Sequence, residues 1–211
     1  VPMSMEPGKN SKSRQKYLEA QLHDAIERME KILHRKYDDE KLIEAVTNEY
    51  NSTALWGEIS LLNRSIPAPL DIKTMFSLYV ICTLVRHKKE AVEFCKELKE
   101  EVQDRVKKGI AALATERCRI LDDGQPPWAF LDLFRHMEKY GAVCVGSIYA
   151  FSLSGNYDEA EDGTWVSRKQ LGERNIVIKN REDALKVMVE LYLDRAINRA
   201  ISFPQLKIPM M

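Results

Sequence analysis

The chain of 211 residues is long enough to fold around a substantial core, and its composition, 45% hydrophobic and 30% charged, is that of a globular protein. Lysine and arginine together number 32, as do aspartate and glutamate, so the formal net charge is zero and gives no indication of a nucleic-acid or membrane-surface partner. The apolar runs are too short to cross a bilayer and the start of the chain is polar, so we expect a cytoplasmic protein without a signal peptide.

The first half of the chain carries the periodicity of helices. Residues 1–13 contain prolines and a glycine and are predicted to form an extended lead-in, whereas apolar residues in 14–115 recur at three- and four-residue steps. This second range is therefore predicted to be a helical region. Caps are expected at residues 37–39, at Asp71 and at Gly109. The predicted helices cover residues 14–33, residues 42–62, residues 72–85 and a segment from His87 to about Gly109.

The helix predicted over residues 72–85 is apolar around most of its circumference. We therefore expect it to be the most buried helix of the group, because a helix that is apolar all round needs neighbours on every side.

A strand–helix–strand pattern follows. Cys118, Ile120 and Leu121 form a short apolar run, and a second run covers Ala142–Ile148. Between them, Pro126 and Pro127 suit the first turn of a helix whose apolar side is predicted to contain Phe130, Leu131, Leu133, Phe134 and Met137. This order predicts two parallel strands joined by a helix.

The remainder is predicted to be a polar loop over residues 154–172 and a last helix, Ala184–Ala196, with a cap in residues 180–183. Two strands do not make a stable sheet, and residues 175–178 are too short a candidate to complete one. The predicted fold class is therefore α/β, with a helical amino-terminal part and, over residues 116–211, part of a Rossmann-like parallel α/β domain with an incomplete sheet. We expect the chain to be a fragment of a longer protein.

Several residue types are candidate ligands or catalysts. The four cysteines, Cys82, Cys95, Cys118 and Cys144, are widely separated and are predicted to be buried structural thiols and not ligands of a metal or cluster. The four histidines lie in charged helical surface and are predicted to be solvated. The acidic residues 158–162 lack the spacing of a calcium loop, so a solvated loop is the preferred interpretation.

The turn Gly124–Trp128 is the candidate site. It follows the first strand, and ligands of parallel α/β sheets gather at the carboxyl ends of strands. Gln125 offers an amide, Trp128 a rigid apolar wall, and Tyr149 lies at the end of the second strand. An ordinary strand-to-helix turn explains the same residues equally well on local grounds.

The segment RCRILDDGQPPWAFLDLFRHMEKYGAVCVGSIYAF, together with the preceding KKGIAALATERCR, resembles the 2-hydroxyacyl-CoA dehydratase / benzoyl-CoA reductase family. The amino-terminal segment VPMSMEPGKNSKSRQKYLEAQLHDAIERMEKILHRKYDDEKL and the later GNYDEAEDGTW resemble most closely the B-type subunit of ATP-dependent benzoyl-CoA reductase. The resemblance extends over essentially the whole chain.

This resemblance implies two paired homologous subunits, each with a [4Fe-4S] cluster held by its own cysteines, and a separate ATP-hydrolysing iron–sulfur activator. It implies reduction of an aryl-CoA substrate to a cyclic dienoyl-CoA in the reductase branch, or dehydration of a 2-hydroxyacyl-CoA through a ketyl radical in the other branch. Family subunits are about twice as long as this chain, so the cluster ligands are expected outside it. Gln125, Trp128 and Tyr149 are then expected to surround the substrate or the cluster. A non-catalytic interaction subunit is a further alternative.

Overall fold

The computed structural model of the chain describes residues 12–122 and 124–194. The predicted lead-in, apart from its last residues, and the end of the chain from residue 195 lie outside these ranges. In chain order the helices and strands are α1 (Lys12–Leu33), α2 (Asp39–Leu62), α3 (Ile72–Leu84), α4 (Lys89–Lys108), β1 (Cys118–Asp122), α5 (Asp132–Glu138), β2 (Ala142–Ser147), β3 (Tyr157–Glu159), β4 (Trp165–Ser167) and α6 (Arg181–Leu193).

Helix α2 is the most buried helix of the described chain. Twelve of its 24 residues are buried, compared with five of 13 in α3, and it packs against α3, α4, α6 and β4. The prediction that the 72–85 helix would be the most buried was therefore wrong. Leu84 of α3 is 69% exposed, so α3 offers one face to the core and another to solvent.

Small polar residues explain why the sequence concealed the burial of α2. The hydroxyl of Thr53 donates to the carbonyl of Glu49 at 2.7 Å, and that of Ser60 donates to the carbonyl of Trp56 at 2.8 Å. A buried hydroxyl that is hydrogen-bonded to the preceding turn carries little desolvation cost. These residues look polar in a periodicity analysis although they lie in the core.

The caps agree with the predictions. Asp38 accepts a hydrogen bond from the amide of Lys41 at the start of α2, and Asp71 accepts one from Thr74 at the start of α3. Gly109 ends α4 with a φ of 66°, a left-handed conformation that suits glycine. Asn180 caps α6 through the amide of Asp183.

Strands β1 and β2 pair in parallel, as predicted. Cys118 lies opposite Ala142 and Asp122 lies opposite Ser147, with one irregularity between Ile120 and Leu121. β2 is buried along nearly its whole length, which is typical of a strand covered on both faces. The indole nitrogen of Trp56 in α2 donates to the carbonyl of Ala150, just after β2, at 2.8 Å. One core thus joins the helical region to the strand region, and the predicted domain boundaries remain a prediction.

Two predictions for the region after β2 were wrong. The segment predicted as a loop contains the antiparallel pair β3–β4, in which Tyr157 and Trp165 are buried. Three-residue strands are too short to produce a clear alternation in the sequence. The candidate strand at residues 175–178 is not a strand, and Ile176 and Ile178 instead pack against the side of α2 and α6.

The helix after β1 also differs from the prediction. Pro126 and Pro127 precede a single 3₁₀ turn, Trp128–Phe130, and α5 begins only at Asp132. Phe134 is buried, but Phe130 and Leu133, which were predicted to face the core, are 67% and 50% exposed. The later start rotates the helix relative to the predicted apolar stripe.

Candidate functional site

The carboxyl ends of β1 and β2 are joined by side chains. The hydroxyl of Ser147 donates to a carboxylate oxygen of Asp122 at 3.0 Å, and the other carboxylate oxygen lies 3.4 Å from the amide of Gly124. The oxygen of Ser147 also accepts from the amides of Tyr149 and Ala150. The loop after β1 and the turn after β2 are therefore fixed to each other at this edge of the sheet.

The loop after β1 carries two of the candidate residues. Gln125 is exposed and Pro126 is buried beneath it. The amide of Trp128 donates to the carbonyl of Pro126 at 2.8 Å, and the amide of Phe130 donates to that of Pro127 at the same distance. These bonds form the 3₁₀ turn that carries the indole of Trp128 towards α3.

Trp128 is part of a group of aromatic rings that we call the aromatic cluster: Phe76, Tyr79, Trp128 and Tyr149. The ring of Trp128 lies 5.8 Å from that of Phe76, 6.1 Å from that of Tyr79 and 5.8 Å from that of Tyr149, centroid to centroid. The indole nevertheless remains 45% exposed. One part of Trp128 is thus held by the protein while another part is open to a ligand.

Two members of the aromatic cluster were not recognised in the sequence as site residues. Phe76 and Tyr79 lie three positions apart on α3, so their side chains share one face of the helix. The hydroxyl of Tyr79 is hydrogen-bonded to Tyr149. Burial, followed by this hydrogen bond, raises the pKa of Tyr79 to about 12, so the phenol is neutral at physiological pH. The sequence offered the spacing as a signal, but it did not show which loop the face would meet.

The structure therefore brings Trp128 and Tyr149 into contact and leaves Gln125 exposed on the adjoining loop. Their role as surroundings of a substrate or cluster remains a prediction.

The basic side chains on the neighbouring helices are paired with carboxylates. Lys73 of α3 forms an ion pair with Asp132 of α5. Arg135 of α5 lies 3.2 Å from a carboxylate oxygen of Asp71 and 2.9 Å from one of Glu138. The aromatic cluster is therefore a neutral surface, suited to an apolar or aromatic group more than to an anionic one.

The acidic residues and the histidines do not form a second candidate site. Asp158 and Glu159 belong to β3, and Asp158 accepts a 2.8 Å hydrogen bond from the buried Arg168. The carboxylate of Asp162 binds the amide and hydroxyl of Thr164 within its own turn. The prediction of a solvated loop is thus wrong for Asp158 and Glu159. His34, His87 and His136 are exposed, as predicted, and His23 lies 3.5 Å from Glu27 in a part-exposed pair.

The cysteines do not assemble a cluster site. Cys82, Cys95 and Cys144 are buried, as predicted, but Cys118 is exposed because β1 starts at the surface. The sulfur atoms of Cys82 and Cys95 lie 2.8 Å apart. The hydrogen bond between them and burial raise the pKa of Cys82, which disfavours the thiolate that an iron–sulfur cluster needs as ligand. Within residues 12–122 and 124–194, no three metal-ligating side chains converge. The described residues therefore do not fit a [4Fe-4S] cluster.

Comparisons with known proteins relate the chain to enzymes of CoA thioesters. A family model described as 2-hydroxyglutaryl-CoA dehydratase, D-component, matches residues 1–198. The chain is 30% identical over 151 residues to the (R)-2-hydroxyisocaproyl-CoA dehydratase alpha subunit of Clostridioides difficile, covering 70% of this chain and 37% of that protein. It is 27% identical over 157 residues to the (R)-phenyllactyl-CoA dehydratase alpha subunit of Clostridium sporogenes, covering 72% and 38%. It is also 27% identical over 164 residues to the B-type subunit of benzoyl-CoA reductase from Thauera aromatica, covering 72% and 37%.

The chain thus spans 37% to 38% of the length of these three relatives. Among the described residues, every helix is too short or too polar to cross a membrane. The family match includes both the helical region and the strand region that carries the aromatic cluster. The chain belongs to the 2-hydroxyacyl-CoA dehydratase / benzoyl-CoA reductase family.

Proposed function

We propose that this chain is part of a B-type subunit of a cytoplasmic enzyme that reduces benzoyl-CoA, or a related aryl-CoA thioester, to a cyclic dienoyl-CoA. The observation that carries the proposal is the aromatic cluster at the carboxyl end of the β1–β2 pair, with the indole of Trp128 held on three rings and 45% exposed. The relatives include one protein named for a benzoyl and one named for a phenyllactyl thioester.

The part of this chain in the reaction is to bind and orient the acyl group. An aryl ring placed on the open part of Trp128 would extend the existing edge-to-face and stacked contacts of the aromatic cluster. The buried rings of Phe76 and Tyr79 keep water from the inner side of Trp128, which favours an uncharged ring in the site. Gln125, on the exposed loop, is placed to donate an amide hydrogen to a polar group of the thioester.

The electron chemistry comes from outside the described residues. By resemblance, a [4Fe-4S] cluster held by other parts of the whole subunit supplies one-electron chemistry, with electrons from an ATP-hydrolysing activator and with a paired homologous subunit. Anaerobic reconstitution of the 211-residue chain with iron and sulfide should then give no iron–sulfur absorbance. A cluster spectrum that disappears when these cysteines are replaced would overturn this assignment.

The function is tested with the full-length subunit, assembled with its homologous partner and its activator under anaerobic conditions. Benzoyl-CoA should be converted to a dienoyl-CoA, detected by mass spectrometry, in the presence of ATP and a reductant. Trp128→Ala should raise KM for benzoyl-CoA by about 10-fold, because an aromatic contact of this kind contributes about 1 kcal/mol beyond its buried area. Tyr140→Phe is the matched control, since Tyr140 is an exposed ring packed on His136.

The second candidate is dehydration of a 2-hydroxyacyl-CoA. The description of the matching family and the names of the two dehydratase relatives favour it. The same complex should then convert (R)-phenyllactyl-CoA to the corresponding 2,3-enoyl-CoA and leave benzoyl-CoA unchanged. Turnover of neither thioester, with no cluster in the full-length subunit, would instead indicate a non-catalytic interaction subunit.

A further inference from the structure

Three aromatic rings from separate parts of the chain form a closed triangle. Tyr79 lies 6.1 Å from Trp128 and 5.6 Å from Tyr149, and Trp128 lies 5.8 Å from Tyr149. Trp128 belongs to the loop after β1, Tyr149 to the turn after β2, and Tyr79 to α3. Each ring therefore contacts the other two, so movement of one displaces both of the others.

Tyr79 differs from the other two members in burial. It is 7% exposed, whereas Trp128 is 45% exposed and Tyr149 is half-buried. Its ring is nearly parallel to the indole, with an interplanar angle of 21°, and its hydroxyl is hydrogen-bonded to Tyr149. Tyr79 thus contacts Trp128 through its ring face and Tyr149 through its ring edge and hydroxyl, from the protein side of the cluster.

The helix that carries Tyr79 is itself fixed. Asp71 caps α3 through the amide of Thr74 at 2.9 Å and its hydroxyl at 2.7 Å. Asp71 also pairs with Arg135, and Lys73 pairs with Asp132, so two ion pairs join α3 to α5. A residue on such an anchored helix can hold mobile loop residues in one orientation.

Phe76, the neighbouring ring on α3, does not have this double contact. It packs on Trp128 at 5.8 Å and on Phe134 of α5 at 5.7 Å, and it is almost completely buried. Its role is explained by the core. Tyr79 is the residue of α3 that contacts both site residues predicted from the sequence.

We propose that Tyr79 is a positioning residue that holds the rings of Trp128 and Tyr149 in the orientation that receives the acyl group of the CoA thioester. This inference rests on the proposed function, because it needs Trp128 to contact the substrate. The ring of Tyr79 supports the indole from behind, and its hydroxyl fixes Tyr149. Loss of the ring should release Trp128, whereas loss of the hydroxyl alone should mainly release Tyr149.

The orientation of Trp128 can be observed directly. The chain contains three tryptophans, and Trp56 and Trp165 are buried. In the 211-residue chain labelled with 5-fluorotryptophan, the ¹⁹F resonance that Trp128→Phe removes identifies Trp128. Tyr79→Leu should shift and broaden this resonance and leave the other two in place. Tyr79→Phe should shift it less, and the matched controls Tyr140→Leu and Tyr140→Phe should not move it.

The functional arm uses the full-length complex. Tyr79→Leu should raise KM for the aryl-CoA substrate by about 5- to 10-fold with a smaller change in kcat, and Tyr79→Phe by about 2- to 5-fold, in keeping with loss of a ring contact and of one hydrogen bond. A thermal unfolding curve for each variant separates misfolding from misplacement. If Tyr79→Leu does not fold, Tyr79→Phe decides, since it keeps the ring.

The outcomes separate the two proposals. An unchanged Trp128 resonance and unchanged KM in both Tyr79 variants, with a raised KM in Trp128→Ala, would overturn the role of Tyr79 and leave the acyl site standing. An unchanged KM in Trp128→Ala would overturn the acyl site and, with it, this inference. A raised KM for Tyr79→Phe, together with its shifted resonance and unchanged unfolding temperature, would support both.

Discussion

The hydroxyl of Ser147 donates a 3.0 Å hydrogen bond to the carboxylate of Asp122, and the two residues are opposite each other at the carboxyl ends of β2 and β1. Ser147 is completely buried, and its oxygen accepts from two amides of the following turn. A single side chain therefore connects the two strands and begins the segment that carries Tyr149. This connection determines the geometry of the candidate site more directly than any residue of the loop between the strands.

Ser147→Ala should lower the free energy of unfolding by about 1–3 kcal/mol, because it leaves a carboxylate and two amides without this partner. Urea denaturation of the chain measures the change. Ser77→Ala is the matched control: its exposed hydroxyl donates to the carbonyl of Lys73 one helical turn earlier, and its loss should change stability by no more than about 0.5 kcal/mol. Equal effects of the two substitutions would contradict this role of Ser147.

A second prediction concerns Gly57 on α2. A Cβ atom at this position would lie 2.7 Å from the backbone oxygen of Asn156, in the segment that leads into β3. Glycine to alanine inside a helix is otherwise stabilising by about 0.5–1 kcal/mol. Here the sign should reverse, with a loss of about 1–3 kcal/mol, because neither backbone can move away without disturbing the core.

Gly172→Ala is the control for this substitution, since a Cβ there would meet nothing within 4 Å. It should be neutral or stabilising by up to about 1 kcal/mol. Both variants are compared by urea denaturation. A stabilising effect of Gly57→Ala would show that the β3–β4 pair does not pack on α2 as closely as described.

Local features of the sequence predicted most of the backbone, whereas contacts between distant segments could not be predicted. Asp38, Asp71, Gly109 and Asn180 each act on the backbone within a few residues, so their effect is visible in the sequence. The burial of Thr53 and Ser60 depends on which elements cover α2, and a periodicity analysis treats them as polar.

The candidate site shows the same division. The position of Trp128 after a strand and before a helix was predictable from the prolines and the apolar runs on either side. Its stacking on Tyr79 was not, because α3 lies far earlier in the chain and its register against the loop depends on the ion pairs of Lys73 and Arg135. The exposed Cys118 was missed since an apolar run does not show which end of a strand reaches the surface.

A third prediction follows from Glu30 in α1. Its carboxylate accepts a 2.9 Å hydrogen bond from the amide of Tyr37 and pairs with Lys36 and with Arg181 of α6. These contacts, the backbone hydrogen bond first, lower the pKa of Glu30 from 4.5 to about 2. A lowered pKa in the folded chain means that the ionised carboxylate stabilises the fold above pH 4.5, and that this contribution is lost as pH falls towards 2.

Glu30→Gln should therefore be less stable than the wild type at pH 7, and the difference should shrink as pH falls below about 4.5, where the wild type starts to lose the same contribution. Urea denaturation at pH 7, 5, 4 and 3 measures it. Glu44→Gln, at an exposed position of α2, should differ little from the wild type at every pH. A difference between Glu30→Gln and the wild type that grows on acidification would refute the assignment.

The last prediction concerns the reactivity of the four thiols. Alkylation requires the thiolate and access to it. Cys82 and Cys95 are completely buried with their sulfur atoms 2.8 Å apart, and burial raises the pKa of Cys144 to about 12. Iodoacetamide at pH 8 should therefore modify Cys118 in the folded chain and reach the other three only in urea, as peptide mass spectrometry would show. Cys118→Ser should abolish the native reaction. Modification of Cys82 or Cys144 at the rate of Cys118 would mean that the core around α3 opens readily, and the fixed support proposed for Trp128 would then fail with it.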